Sequence, residues 1–228
     1  MGKRKISVNN PWFVTLISTM IGIIAGLYIT NYFENNRLYA AKQKALLQVE
    51  TELNDNHELL KDFNNNLSGK YEPMAVILSN LNAEMNLIIH KDSLQNFLKS
   101  TETMFAYDSF TTVNATQIEL HGDINFNLDN TGLMAKKLSN IVWDSYKQTD
   151  FLSITSFECV TNIETFYVMQ QEINKITEIW KNQLYQMAFI RNKKASEDFI
   201  NNWRVLLLKQ NLLLEYYKTI DSILSECK

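Results

Sequence analysis

Histidine, cysteine and carboxylate side chains are the groups here that could ligate a metal or move a proton. They are sparse and scattered. The histidines His57, His90 and His121 lie far apart in sequence. His121 and Asp123 flank Gly122, but two such residues without a third ligand make no metal site. His57 lies close to Asp55 and Glu58, and Glu50, Glu52 and Glu58 are interspersed with lysines, so both patterns read as a solvated helix face. His90 falls near the apolar face of a predicted helix, where a histidine is more often satisfied in the core than a ligand. Cys159 and Cys227 make no CxxC pattern. Either they pair as one disulfide in an extracytoplasmic domain, or they stand as a buried small hydrophobe and a C-terminal thiol. No GxSxG, HExxH, P-loop or dinucleotide fingerprint occurs. The expectation is a protein that is not an enzyme and uses no metal or cofactor.

The elements that carry these residues are helical. Two prolines and six glycines in 228 residues are too few for a strand-and-turn architecture. The net charge of −3 and the lack of clustered Lys and Arg give no electrostatic footprint for nucleic acid. Large aromatic residues (Trp143, Phe166, Tyr167, Trp180, Trp203 and Tyr217 among them) recur at helical spacing and read as core.

The N-terminal region has the three parts of a membrane anchor. Residues 1–11 form a short basic segment with Lys3, Arg4 and Lys5. Residues 12–30 are uncharged and apolar, about long enough at roughly 1.5 Å per residue to cross a hydrocarbon layer of roughly 30 Å. Trp12, Tyr28 and Tyr32 mark the two interfaces, where amphipathic rings settle. The run ends in "YITNYFENN", without the small-residue pair of a signal-peptidase site, so it reads as a retained anchor. The basic flank before the span places the N-terminus in the cytoplasm and the rest outside.

Beyond the span the helical register persists through residues 31–67. Tyr39, Leu46, Leu53, Leu60 and Leu67 recur every seven residues, with Val49 and Phe63 between them and Lys42 and Asn56 as polar breaks. The stripe is either an interaction seam for another chain, through Tyr39, Leu46, Val49, Leu53 and Leu60, or a face packed against later helices of the same chain. "LSGKYEP" at 67–73 predicts an end to this rod, with Gly69 suited to a helix C-terminus and Pro73 to the first turn of a second helix over 73–101. Residues 68–228 then form a helical domain. Its irregular insert at about 105–133 is a β-hairpin or an ordered loop, with Ile118, Leu120, Ile124, Phe126 and Leu128 on the strands around His121–Asp123. Helix resumes over 133–149. A long helix follows a turn near Asp150, and a last helix runs over 196–226 with Ser196 as a candidate cap. The fold class is all-α: a transmembrane helix continuing into a long helix, packed in an antiparallel helical bundle with a small irregular or hairpin insert.

Two stretches carry a resemblance. "IIAGLYITNYFENNRLYAAKQKALLQVETELNDNHELL" and "WDSYKQTDFLSITSFECVTNIETFYVMQQEI", the latter with Tyr167 and Gln170, resemble a family of uncharacterised bacterial single-pass membrane proteins. The resemblance covers about a third of the chain and implies a helical extramembrane domain on one anchor. It brings no activity and no site residues.

Three functional readings follow, in this order. The first is a membrane-anchored interaction or scaffold protein that binds another protein or self-associates. The second is a membrane-anchored small-molecule sensor acting through a partner. The third is an enzyme with an unrecognised site around His121 and Asp123.

Overall fold

One helix dominates the computed structural model, which describes residues 11–125 and 137–227. This helix, α1, runs unbroken from Pro11 to Ser79, 69 residues. The predicted break at 67–73 is absent, and Pro73 lies inside the helix. A proline there removes one backbone bond and costs about 3 kcal/mol. Leu67, Met74, Ile77 and Leu78 are all buried on the same side of that stretch, and each contributes roughly 1.5–3 kcal/mol. Packing therefore outweighs the local preference to stop.

The helix expected over 73–101 is replaced by a different series of elements. Asn80 Nδ2 donates to the Val76 carbonyl (2.8 Å) and ends α1. A tight turn follows, closed by Asn82 N to Asn86 O (2.9 Å) and Asn86 N to Asn82 Oδ1 (2.8 Å). Met85 sits in it at a φ of 67°. These asparagines compete with the helix for its backbone groups. Strand β1 (Ile88–His90), a 3-10 turn and a short helix α2 (Leu94–Thr101) come next. Then β2 (Phe105–Thr112) and β3 (Gln117–Ile124) form a hairpin, and the sheet order is β1-β3-β2, all antiparallel. The insert is thus a hairpin, but its turn is 113–116, closed by Asn114 Oδ1 accepting from Thr116 N and Gln117 N (both 2.9 Å). His121, Gly122 and Asp123 are in β3 rather than at a turn. Phe126, Leu128 and residues 133–136 lie outside the described residues.

Four more α-helices follow among the described residues: α3 (Ile141–Lys147), α4 (Phe157–Tyr185), α5 (Lys193–Tyr217) and α6 (Ile220–Cys227). Of the helix expected over 133–149, the described part begins without regular secondary structure and turns helical only at Ile141. The last helix begins earlier than expected and breaks at Lys218 and Thr219. Its cap is Asn192, whose side chain accepts from Ala195 N at 2.9 Å. Ser196 is instead buried, with its hydroxyl donating to the Phe189 carbonyl.

Helix α5 runs opposite to α1. His57 stacks on Tyr217, Tyr71 meets Trp203 edge-on, and Lys193 Nζ donates to the Ser79 carbonyl at 2.7 Å. It also runs opposite to α4, through Trp180 against Phe199 and Trp203, and Lys209 against Glu172. The aromatic residues read as core are core: Trp143, Trp180, Trp203, Phe166 and Tyr167 are essentially inaccessible. Cys159 and Cys227 form a disulfide that ties α6 to the start of α4. This resolves the alternative left open by their spacing.

The apolar start of α1 is the opposite case. It is a candidate membrane span by length and composition, and none of its most apolar window is buried. Trp12, Tyr28 and Tyr32 are all more than half exposed. The basic segment with Lys3, Arg4 and Lys5 lies outside the described residues.

Gly122 shows how tightly the hairpin is built. A Cβ at this position would lie 2.2 Å from the Ala106 carbonyl oxygen and 3.0 Å from the Phe105 ring, whereas a Cβ on Gly69 would meet nothing within 4 Å. Gly122→Ala should therefore lower stability by about 1–3 kcal/mol and speed amide exchange across β2. Gly69→Ala, in open space on a helix, should be neutral or stabilising by up to about 1 kcal/mol. Equal urea midpoints for the two variants would refute this packing.

Candidate functional site

The face of α1 that packs inward is not purely apolar. Leu46, Val49, Leu53 and Leu60 of the heptad stripe are buried in the chain's own core, as is Leu67. The seam predicted for a partner is therefore taken by the same chain, and of its five candidates only Tyr39, 52% exposed, remains open. Four buried polar residues share this face, Lys42 and, interleaved with the leucines, Glu52, Asn56 and Asn64. The last three, spaced by four and eight residues, lie on one side of the helix.

Glu52 was expected on a solvated face. It is buried, and both carboxylate oxygens are occupied. Oε1 accepts from Ser139 Oγ (2.6 Å) and Val142 N (3.1 Å). Oε2 accepts from Tyr167 Oη (2.8 Å) and Trp143 N (3.4 Å). The two backbone donors are orphan amides of the first turn of α3, which a carboxylate satisfies well. Burial, reinforced by this carboxylate, pushes the Tyr167 phenol far above its usual range. It stays a neutral donor at any physiological pH.

One turn further on, Asn56 holds the backbone of Ser139 at both ends. Its Nδ2 donates to the Ser139 carbonyl (2.7 Å) and its Oδ1 accepts from Ser139 N (2.8 Å). Asn174 on α4 does the same for Leu138, at 2.9 and 3.0 Å. An irregular segment of chain is thus clamped between α1 and α4 by two side-chain amides, which read main chain and not side chain. Asn56 Nδ2 also donates to Gln170 Oε1 (3.0 Å), and Gln170 Nε2 donates to Tyr217 Oη (2.6 Å). Burial pushes the Tyr217 phenol above its usual range, against the Gln170 bond. Asn64 Nδ2 donates to Gln210 Oε1 (3.2 Å). The seam joins α1, α3, α4 and α5. Every lone pair of Glu52 is committed to a donor, so the centre is built to hold position.

The sheet offers the other candidate surface. Among the described residues β2 is an edge strand. Its register with β3 slips between Tyr107 and Ser109, which makes Asp108 the extra residue of a β-bulge. Paired residues share a face, so Phe110 opposite Leu120 and Tyr107 opposite Gly122 lie on the face that carries Ile118 and Leu120 into the core. Without the bulge, residues three apart would point to opposite faces. Yet Tyr107 and Phe110 are 39% and 49% exposed.

The histidines do not converge. His57 stacks on Tyr217 (4.6 Å between ring centroids) instead of facing solvent alone. His90 ends β1, where its Nδ1 accepts from Asp92 N at 3.4 Å, and is not on a helix face. His121 Nε2 bonds Thr111 Oγ1 at 2.7 Å across the hairpin, with Asp123 two residues along the same strand. Among the described residues no three His, Cys, Asp or Glu side chains are grouped to hold a metal.

Comparison with protein families, curated proteins and solved structures finds no match. The geometry alone therefore carries the functional reading.

The clamp makes a quantitative prediction. Glu52→Ala removes the acceptor for four donors, two of them backbone amides, and should destabilise the domain by about 2–4 kcal/mol. Glu58→Ala, on the exposed side of the same helix, should change stability by less than about 0.5 kcal/mol. Indistinguishable urea unfolding curves for the two variants would show that Glu52 is not clamped.

Proposed function

We propose that this protein is a single-pass, membrane-anchored interaction scaffold, which binds another protein or a second copy of itself. Residues 12–30 lie in the bilayer, the N-terminus is cytoplasmic, and an antiparallel helical bundle stands on the extracytoplasmic side. The observation that carries this reading is the continuity of α1. Its first part exposes an apolar surface that none of the described residues buries, and the same helix then supplies the core stripe of the domain. A helix shared in this way fixes the domain relative to the anchor without a flexible linker. From Ile29 to Ser79 it rises about 75 Å, and the sheet follows directly on its far end, where Leu120 N donates to the Leu87 carbonyl beside the Leu81–Leu87 bridge. The sheet would therefore be held well clear of the membrane. The disulfide supports the orientation, because such bonds persist in oxidising compartments.

The reading predicts two outcomes. In sealed right-side-out membrane vesicles, added protease should remove a tag placed after Lys228, and the protein should migrate differently on gels with and without reductant. Crosslinking in native membranes through that tag should recover one stoichiometric partner or a second copy of the chain. A monomer that crosslinks to nothing, or a tag protected until the vesicles are opened, would contradict the scaffold and the orientation respectively.

A further inference from the structure

Among the described residues no strand pairs with the outer edge of β2. Folded proteins usually guard an edge strand with lysine, proline, a bulge or a covering element. Here the bulge at Asp108 disrupts only the first half of the strand. The following residues 109–113, Ser-Phe-Thr-Thr-Val, carry no charge, proline or glycine, and Val113 is 48% exposed. Such a run of aromatic and β-branched residues on an edge is a template for another strand. It is also rigid, because the Asn114 turn and the Thr111–His121 bond fix the hairpin.

The two faces of the hairpin differ. One presents Tyr107 and Phe110 beyond the core residues Ile118 and Leu120. On the opposite face are Glu119, His121 and Asp123 of β3, with Asp108 in the bulge. No lysine or arginine occurs in any of the three strands. An added strand would meet an aromatic surface on one side and, on the other, carboxylates that make no ion pair with a described residue.

We propose that β2 is the docking edge of this scaffold, and that its occupant is an extended partner segment alternating apolar and basic residues. Main-chain hydrogen bonds to residues 109–113 give the affinity. The apolar side chains of the segment cover Tyr107 and Phe110, and its lysines or arginines face Glu119 and Asp123. This deepens the scaffold reading and rests on it for the identity of the partner as a protein.

The test uses the full chain in detergent micelles and a labelled, end-blocked heptapeptide alternating Lys and Val. Fluorescence anisotropy should show it binding at least tenfold more tightly than a Glu/Val heptapeptide. It should also bind at least tenfold more tightly than a Lys/Val heptapeptide N-methylated on alternate residues along the docking edge. Amides of residues 109–113 should gain exchange protection on binding. Phe110→Lys, checked for an unchanged unfolding midpoint, should weaken binding at least fivefold, and Leu208→Lys, an exposed site on α5, should not. Absence of binding, or equal binding of the N-methylated peptide, would overturn the edge assignment. Equal binding of the Glu/Val peptide would overturn the charge assignment. A partner crosslinked elsewhere on the chain, with no binding of the heptapeptide, would sink the docking edge while leaving the scaffold intact.

Discussion

The carboxylate of Glu52 holds together segments that have no other reason to meet. It accepts from Ser139 and the first amides of α3, and from Tyr167 on α4. Apolar burial alone would let α1 slide by a turn against its neighbours, since leucines recur along its whole inner face. A buried charge does not tolerate that freedom, because a shift would leave it unpaired at a cost of several kcal/mol. Asn56 and Asn64 repeat the constraint at later turns, against Gln170 and Gln210. The polar seam therefore selects one register for a helix whose apolar pattern would accept several.

That register matters because α1 belongs to two environments. Its early turns expose Ile23, Ile24, Leu27 and Ile29, and its later turns bury Leu53, Leu60 and Leu67. The clamp converts a fixed position of the domain on α1 into a fixed position relative to the apolar stretch. The long return from the far end of α1 also finds its place here. Residues 137–140 lie against α1 without regular secondary structure, and Asn56 and Asn174 hold the backbone of Ser139 and Leu138. The disulfide then closes the opposite end by fixing α6 to α4.

Much of this was legible in the sequence. The apolar run, the seven-residue stripe and the aromatic spacing of α4 and α5 are period-driven, and periods survive into the fold. What was not legible was decided by partners distant in sequence. Pro73 looked like a helix start because nothing local announces that Met74, Ile77 and Leu78 will be buried. Glu52 looked solvated because its four donors lie more than 80 residues away. The clue was its place four residues before Asn56, beside Leu53 of the stripe. His57 was misread for the same reason, its stacking partner being Tyr217. By contrast, the asparagines that end α1 and close the turn at 82–86 act locally, and their side-chain chemistry could have been weighed against the helix pattern.

The claim on which everything else rests is that one continuous helix leads from the apolar stretch to the sheet. Spin labels at Asn36 and Ser79, both exposed, measure it in lipid nanodiscs by electron–electron double resonance. A continuous α1 predicts a single narrow distance of about 65 Å. A broad distribution, or a mean below about 50 Å, would mean that the helix bends between the apolar stretch and the domain, and that the domain is not rigidly carried.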